Sequence, residues 1–355
     1  MRTWSDLTSR VIAREDLSSE DTAWAMDQVM SGVTSPIVLA GFLTALATKG
    51  ETASELRGLA DAMLEHAKPI HIEGEALDIV GTGGDRLRTV NISTMAALVI
   101  AAAGTPVVKH GNRASSSASG SADCLEALGV NLTLPVEEVE RSFRDLGITF
   151  IFANVFHPSM RYAAQARKEL GVRTAFNVLG PLTNPARPQH SVIGVASEQH
   201  APIVAGVLAE RGTSSLVFRG ENGMDELSAV TPNQVWYVHE GAVEYADVDA
   251  VKDLGLAPAT VNDLLGGDAA FNAEVAKRVL AGEPGPVRDA VALNAAGAFV
   301  AEGTRAGMRA SNGSIIERLA AGLDVACNTI DSGAAEDLLH RWVKFSEDAQ
   351  PSEAK

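Results

Sequence analysis

Apolar residues recur at helical spacing through about the first 70 residues, and no strand pattern interrupts them. Ser35 is placed to cap one helix, with proline at the first helical position, and Gly50 ends that helix. Residues 52–55 have the Thr-x-x-Glu form of a capping box. The apolar face behind this box consists of Leu56, Leu59, Ala60, Met63 and Leu64. The pattern predicts a small helical module.

From Ala76 onward, short apolar strands alternate with helices. Residues 76–80 are predicted as a strand, residues 93–103 as a buried helix and residues 106–109 as a second strand. A helix between two such strands implies a right-handed crossover and a parallel pair. The alternation continues with helices at 121–128, 136–146, 158–170 and 199–211, and with strands at 148–152, 191–196 and 214–218. The predicted fold class is α/β, with a small N-terminal helical domain and a larger domain whose mostly parallel central sheet is flanked by helices.

Beyond Asp225 the strand pattern persists only at 234–239 and, less clearly, at 242–245. Helical periodicity then dominates the rest of the chain. The four further helices are predicted at about 268–281, 286–302, 313–330 and 333–346.

Composition narrows the class of protein. Of 355 residues, 46% are hydrophobic and 21% charged, which is ordinary for a globular chain and excludes disordered, collagenous and coiled-coil proteins. Lys and Arg number 29 against 45 Asp and Glu, and the formal charge of −16 disfavours nucleic-acid binding. Cys124 and Cys327 have no metal-ligand spacing and are predicted to be reduced core thiols. Because signal-peptide and membrane-helix patterns are lacking, we expect a cytoplasmic protein without membrane contact.

A glycine-rich turn, Gly81–Asp85, directly follows the first strand of the α/β part. Glycines there allow backbone N–H groups to turn toward a bound anion. The dinucleotide fingerprint fails because Arg86 replaces its third glycine, and the Walker pattern is missing. Asn91–Thr94 begins the next helix, whose N-terminus favours negative charge. Two simpler interpretations remain open at this point, a tight strand-to-helix turn and an ordinary N-cap.

A run of small residues follows the second strand. Lys109–Arg113 leads into residues 114–120, which are only Ser, Ala and Gly. Such a loop can close over a phosphate group while donating hydroxyl and amide hydrogens, whereas a flexible linker is the simpler alternative. Residues 81–120 contain four cations, Arg86, Arg88, Lys109 and Arg113, against the single acid Asp85. This local charge of +3 in an acidic chain indicates a small polyanionic ligand.

Four other residues, at three places in the chain, have side chains that could bind a ligand or take part in catalysis. Asp225 and Glu226 are adjacent carboxylates just past a strand, and oxygen ligands without His or Cys suit Mg²⁺, although a solvated acidic turn is an equal alternative. Arg173 has the fork geometry that grips a carboxylate, although arginines of this kind more often form structural ion pairs. His157 precedes a proline, which is more typical of a residue that begins a helix than of an acid or base.

Five motifs, in this order, resemble those of the anthranilate phosphoribosyltransferase family, and the resemblance runs from about Trp4 to Phe345. The motifs are Gly81–Asp85, Asn91–Thr94, Lys109–Ala114, Gly171–Pro185 and Asp225–Glu226. The family implies transfer of the phosphoribosyl group of phosphoribosyl pyrophosphate to the amine of anthranilate, with release of pyrophosphate. This is the second step of tryptophan biosynthesis from chorismate. The family also implies Mg²⁺, two ions per active site, and a homodimer joined through the helical domain.

The resemblance assigns site residues by motif match. The donor-binding residues would be Gly81, Gly84, Asp85, Thr89, Asn91, Ile92, Ser93, Thr94, Lys109, His110, Gly111, Asn112, Arg113, Ala114, Ser115, Ser116, Ser117 and Ser121. The metal ligands would be Ser93, Asp225 and Glu226, and the anthranilate contacts would be Gly81, Asn112 and Arg173. No catalytic acid or base is assigned, with His110 the one candidate. We expect a helical domain of residues 1–73, joined by part of 160–188, and an α/β domain of residues 74–355 that binds the donor.

Two departures and two alternatives complete the prediction. Arg86 stands where a glycine is expected after Asp85, which affects the flexibility of the pyrophosphate loop. Ser115 stands where valine is common, so we expect only a backbone contact from it. The closest enzymatic alternative is a pyrimidine nucleoside phosphorylase, which has a similar fold and glycine turn. A non-catalytic homologue that binds nucleic acid is the other, and the chain offers little basic surface for it.

Overall fold

Four helices open the chain in the computed structural model, which describes residues 2–114 and 118–349. They are α1 (Trp4–Ile12), α2 (Ser19–Met30), α3 (Pro36–Lys49) and α4 (Ala53–Glu65). The predicted capping box is confirmed, since Glu55 N donates to Thr52 Oγ1 over 3.2 Å and Thr52 N donates to Glu55 Oε2 over 2.9 Å. Ser35 Oγ likewise accepts from Val38 N at the start of α3. Local sequence therefore fixes where these helices begin.

Strands and helices then alternate as predicted. They are β1 (Leu77–Gly81), α5 (Ile92–Ala102), β2 (Val107–Gly111), α6 (Ser121–Ala127), α7 (Val136–Leu146), β3 (Ile148–Phe152), α8 (Ala153–Phe156), α9 (Arg161–Leu170), α10 (Phe176–Leu179), β4 (His190–Gly194), α11 (His200–Arg211), β5 (Ser214–Gly220), β6 (Asn233–His239), β7 (Ala242–Val248), α12 (Ala269–Leu280), α13 (Pro286–Glu302), α14 (Ile315–Asp331) and α15 (Ala334–Asp348). The helix predicted to begin at residue 158 starts with a 3₁₀ turn, Pro158–Met160, and becomes α-helical at Arg161.

The seven strands form one sheet in the order β3-β2-β1-β4-β5-β6-β7. Strands β1 to β5 are parallel, which confirms a mostly parallel sheet. Strands β6 and β7 are antiparallel and joined by Glu240 and Gly241, both at positive φ, as a two-residue hairpin requires. The chain leaves β1 toward β2 on one side and returns to β4 on the other. This reversal opens a crevice at the carboxyl ends of β1 and β4, where open α/β sheets bind ligands.

Each face of the sheet has its own core. On one face Leu98 of α5 and Phe299 of α13 pack with strand residues such as Val192, and α12, α14 and α15 extend this layer. On the other face, residues of α1 to α4 share a core with α11 and the strands, represented by Leu56 and Val217. Burial of this apolar surface contributes most of the folding free energy. The helical module thus covers one face of the sheet and borders the crevice.

The second core also contains residues far from the first 70. Ala163 and Ala166 of α9, and Phe176 of α10, are buried with the helices of the N-terminal module. Polar contacts join that module to α11, including Arg211 Nη2 to Asp61 Oδ1 at 2.6 Å. Among the described residues, no helix has the length and apolar character needed to cross a membrane. The two cysteines are free thiols, Cys124 buried and Cys327 half-buried.

Candidate active site

The glycine turn after β1 is held against the acid pair that follows β5. Thr82 N donates to Gly194 O over 2.9 Å, and Gly83 N donates to Asp225 Oδ2 over 2.6 Å. Gly83 and Gly84 have φ values of +68° and +83°, a conformation that other residues rarely adopt. The amide of Gly83 is therefore occupied by a carboxylate from the same chain. A bound anion would have to use the other backbone groups of the turn.

Two glycines allow this approach. A Cβ atom on Gly81 would overlap Asp225 Oδ2, and a Cβ on Gly194 would overlap the Asp225 carbonyl oxygen. Both glycines are strand ends paired to each other across β1 and β4. Because Gly81 and Gly194 have no side chain, Asp225 can lie directly against the backbone of both strand ends.

Asp225 and Glu226 are both buried, with 8% and 9% of their surface exposed, so the alternative of a solvated acidic turn is wrong. Burial, and then the neighbouring Asp85, raise the pKa of Asp225 to about 7. Burial, and then Asp225, raise the pKa of Glu226 well above its ordinary value. Asp85 Oδ2 is buried and has no hydrogen-bond partner within the described part of the chain. Three acids thus lie together where ionising all of them is unfavourable.

Ser93 and Lys109 lie beside these acids. The Lys109 side chain is buried, and its Nζ donates to Ile79 O over 2.6 Å and to Ser93 Oγ over 3.2 Å. Burial lowers the pKa of Lys109, while Asp78 and Glu226 oppose that effect. The backbone N–H of Ser93 lies near the Glu226 carboxylate and lowers the pKa of Glu226, against the larger effect of burial. The structure therefore brings together all three residues predicted as metal ligands, Ser93, Asp225 and Glu226.

This donor set suits Mg²⁺. The available ligands are carboxylate and hydroxyl oxygens, and a divalent cation would satisfy the unpartnered Asp85 oxygen and offset the charge that raises the carboxylate pKa values. Over residues 2–114 and 118–349, no group of three or more His, Cys, Asp or Glu side chains has the arrangement of a complete metal cage. Mg²⁺ bound to phosphorylated substrates characteristically needs only one or two protein carboxylates.

The remaining donor-motif residues line the same end of the sheet. Thr89 pairs as an isolated bridge with Leu265, and Ile92 and Thr94 are buried at the start of α5. Gly111 and Ser121 are in contact, since a Cβ on Gly111 would overlap Ser121 Oγ. Ile92 is fully buried, and its N–H donates to Val90 O over 2.8 Å. Asn91 occupies the N-cap position of α5, but its side chain makes no capping hydrogen bond. Ser115, Ser116 and Ser117 lie outside the described residues.

The positive charge predicted for this region is partly neutralised in the fold. Arg113 Nη2 donates to Glu126 Oε1 over 2.7 Å, and Arg113 also contacts Asp123 on the same helix. Residues 114–120 are called the serine-rich loop below. Asp123 Oδ2 accepts from Ala114 N and Gly120 N at the two ends of this loop. These two acids lie just beyond the stretch used to count the local charge. The two described ends of the serine-rich loop, Ala114 and Gly120, are therefore held together by one carboxylate.

Two histidines are held in the wall of the crevice. His110 Nδ1 lies 3.2 Å from Gly180 O, whereas its buried Nε2 has no partner among the described atoms. Burial, and then His157, lower the pKa of His110 to about 3, so its ring is neutral at neutral pH. His157 Nε2 lies 2.8 Å from Thr183 O, and the two ring centroids are 5.3 Å apart. His110 is therefore a fixed hydrogen-bonding group and not a residue that changes protonation near pH 7.

Arg173 lies at the border of the glycine turn, where its guanidinium donates to Gly84 O. It is exposed, and its contact is with a carbonyl oxygen, so the ion-pair interpretation is not supported by this geometry. Asn112 lies across the crevice, and its Oδ1 accepts from Arg113 N over 2.8 Å. Arg173 and Gly83 also line a cavity of about 200 Å³ whose far wall contains Glu51 and His200.

Sequence reasoning missed several residues of the site. Arg167 stacks its guanidinium 5.1 Å from the centre of the Phe176 ring, and burial lowers its pKa with no carboxylate to oppose the effect. Asp78, three residues before the first glycine of the turn, is buried and accepts from His110 N over 3.0 Å. Asn184 Nδ2 donates to Asp78 Oδ2 over 2.9 Å. Asn184 belongs to the Gly171–Pro185 motif, but its contact with Asp78 is not visible in the sequence because the two residues are 106 positions apart.

Comparison with known proteins places this geometry in context. Residues 73–336 match the model of the α/β domain of a glycosyl transferase family, and residues 5–67 match that of its helical bundle domain. The chain is 57% identical over 344 residues to anthranilate phosphoribosyltransferase of Arthrobacter sp. (strain FB24), covering 97% of this chain and 96% of the relative. The crystal structure of anthranilate phosphoribosyltransferase from Thermus thermophilus is 43% identical with a TM-score of 0.88, covering 96% and 99% of the two chains. The Saccharomyces cerevisiae enzyme in complex with PRPP and Mg is 27% identical with a TM-score of 0.85, covering 97% and 98%.

Proposed function

The chain belongs to the anthranilate phosphoribosyltransferase family, and from that premise we propose that the crevice at the carboxyl ends of β1, β2 and β4 is its active site. The enzyme transfers the phosphoribosyl group of phosphoribosyl pyrophosphate to the amine of anthranilate and releases pyrophosphate, the second step of tryptophan biosynthesis from chorismate. The two alternatives considered from the sequence, a pyrimidine nucleoside phosphorylase and a nucleic-acid-binding homologue, have no observation in their favour.

The observation that carries the active-site proposal is the burial of Asp225 and Glu226 against the glycine turn, next to Ser93 and Lys109. Buried carboxylates with raised pKa values are unfavourable unless a cation joins them. A magnesium-bound diphosphate supplies that cation and its counter-charge together. We propose two Mg²⁺ ions per site, held by Ser93, Asp225 and Glu226, which would neutralise the charge on the departing pyrophosphate when bound.

The protein's own groups would hold the donor. Lys109, with two of its three hydrogens donated within the protein, has a third directed to a phosphate oxygen in this proposal. The other donor contacts are proposed for the backbone and side chains of Gly81, Gly84, Asp85, Thr89, Asn91, Ile92, Ser93, Thr94, His110, Gly111, Asn112, Arg113, Ala114, Ser115, Ser116, Ser117 and Ser121. Catalysis would be mostly positioning and charge stabilisation around an oxocarbenium-like transition state.

The acceptor would lie between Gly81, Asn112 and Arg173. An aromatic amine is neutral at pH 7, so its attack on C1 of the donor needs no strong general base, and a neutral His110 would only tune the site. Arg173 would grip the anthranilate carboxylate. Arg167 is a second candidate for this contact, because its guanidinium stacks on Phe176 and forms no ion pair with a carboxylate among the described residues.

We also propose the domain division and the assembly. Residues 1–73, together with part of 160–188, form one unit because α9 and α10 share a core with α1 to α4. Residues 74–355 form the donor-binding unit.

Exposed apolar side chains on the helical unit, Ile37 at 85% and Ile12 at 70%, would be covered in a homodimer. An Ile37→Glu variant should sediment as a monomer, and an unchanged dimer would remove this face from the interface. With free thiols, the enzyme is expected in the cytoplasm.

The direct test is to follow the loss of anthranilate fluorescence with donor and Mg²⁺ present. We expect turnover with these three components and no phosphorolysis of thymidine or uridine. Asp225→Asn with Glu226→Gln should raise the Mg²⁺ concentration needed for half-maximal activity, and an unchanged titration would remove this pair from the metal site. Arg173→Ala should raise the KM for anthranilate about 10- to 100-fold and leave the donor KM nearly unchanged. If Arg167→Ala has that effect instead, the carboxylate contact belongs to Arg167.

A further inference from the structure

A buried asparagine on a distant helix controls the orientation of Asn91. Asn272 lies in the first turn of α12 and is 2% exposed. Its Nδ2 donates to Asn91 Oδ1 over 2.8 Å, although the two residues are 181 positions apart. Its own Oδ1 accepts from Gly267 N over 2.9 Å. The Asn272 side chain therefore connects the start of α12 to the start of α5.

The direction of these hydrogen bonds is fixed by the backbone. Gly267 N is a donor, so the atom of Asn272 that faces it must be the oxygen, and the amide nitrogen must face Asn91. Asn91 then presents its oxygen to Asn272, which leaves its Nδ2 to donate to Ser119 O over 3.3 Å. Ser119 lies at the base of the serine-rich loop. The Gly267 N–H thus determines the orientation of the Asn272 and Asn91 side-chain amides, and through Asn91 the hydrogen bond to Ser119 O.

The backbone around this relay is docked in the same place. Val90 N donates to Leu264 O over 2.9 Å, and Gly266 N donates to Arg88 O over 2.8 Å. A Cβ on Gly266 would lie 2.8 Å from Thr89 O and 2.9 Å from Asn272 Oδ1, so no side chain fits there. Residues 264–266 therefore hold the segment before α5 next to the Asn272 amide.

We propose that Asn272 is a positioning residue for donor binding, an inference that rests on the proposed function. It acts through Asn91, whose side chain is engaged in this relay and not in capping α5. By fixing Asn91, it ties the serine-rich loop to the N-terminus of α5, the two elements between which the donor's phosphates would bind. Asn272 itself is buried and touches no substrate.

Asn272→Asp tests the polarity of the relay. The aspartate still accepts from Gly267 N, but its second oxygen faces Asn91 Oδ1 and forces the Asn91 amide to turn over. Ser119 O then meets an oxygen, so the bond from Asn91 Nδ2 is lost and the longer contact of the Ser119 hydroxyl with Asn91 Oδ1, 3.5 Å, is disturbed. We expect the Kd of magnesium-bound phosphoribosyl pyrophosphate, measured by calorimetry, to rise about tenfold, with the anthranilate KM changed less than about twofold. Asn272→Ser, which keeps a hydroxyl acceptor for Gly267 N, should give the same donor-specific loss and serves if the aspartate variant does not fold.

The double-mutant cycle with Asn91→Ala distinguishes positioning from a general structural role. If Asn272 acts through Asn91, Asn272→Asp has no additional effect on donor Kd in the Asn91→Ala background. Ser346→Ala is the matched control, because it removes a buried 3.0 Å bond from Asn131 N far from the site, and it should lower Tm without changing donor Kd. Unchanged donor Kd in both Asn272 variants, or additive effects in the cycle, would overturn the inference. Failure of the wild-type protein to bind the donor would instead refute the proposed function, and this inference with it.

Discussion

The Asp78 carboxyl group lies inside the sheet, where its ionised form is unfavourable. Replacing it with a neutral residue should therefore change how the free energy of unfolding depends on pH. The side chain is 1% exposed on β1 and accepts from His110 N over 3.0 Å and from Asn184 Nδ2 over 2.9 Å. Burial raises the pKa of Asp78 from 3.8 to about 6 in spite of these bonds and of the nearby Lys109. The desolvation of the charge therefore outweighs the favourable contacts.

The magnitude follows from proton linkage. The folded state keeps this proton up to about pH 6, whereas the unfolded chain releases it near pH 4. Between these values the folded state binds more protons, so stability falls as pH rises. At about 1.4 kcal/mol for each pH unit, ionised Asp78 costs about 3 kcal/mol above pH 6.

The assay is urea unfolding of the wild type and of Asp78→Asn between pH 4 and pH 7.5. Asparagine stays neutral, so the free energy of unfolding of the variant relative to wild type should increase by about 2.5 kcal/mol across this range, on top of a constant loss from the altered hydrogen bonds. Asp348→Asn, an exposed position on α15, should show no such trend. A difference between Asp78→Asn and wild type that stays constant with pH, or decreases toward pH 7.5, would refute the reasoning.

Three further substitutions test packing and local structure. Gly194→Ala should lower Mg²⁺-dependent turnover by about 100-fold or more, because its Cβ overlaps the Asp225 carbonyl and displaces the acid pair. Gly41→Ala is the control and should keep full activity in the fluorescence assay, because its Cβ has no described atom within 4 Å. Leu46→Ala removes a fully buried side chain and should lower the free energy of urea unfolding by about 2 to 5 kcal/mol; a loss below about 1 kcal/mol would contradict the described core. Thr52→Ala should cost about 1 kcal/mol in the same measurement, and no loss would show that the capping box contributes nothing.

Local patterns were sufficient for the strands and most helices, though not for the short helices α8 and α10, and for the position of the candidate site along the chain. Helical spacing and a capping box located α4, and a strand followed by glycines located β1 and its turn. These signals depend on neighbouring residues only, so they are visible without the fold. The acid pair after β5 was also visible as a pattern of the metal-binding type, and the structure buries it beside Ser93.

What each functional group contacts was decided by the tertiary structure. The bond from Gly83 N to Asp225 joins residues 142 positions apart, and it exists because β1, β4 and β5 lie side by side in the sheet. Arg113 is paired by Glu126, and Asn91 by Asn272, and the motifs that contain these residues do not reveal either contact. The sequence by itself determined which residues form the elements and which chemical groups are available. Only the fold determined which buried donor meets which acceptor, because that pairing depends on desolvation and on strand order, and neither quantity is encoded in local periodicity.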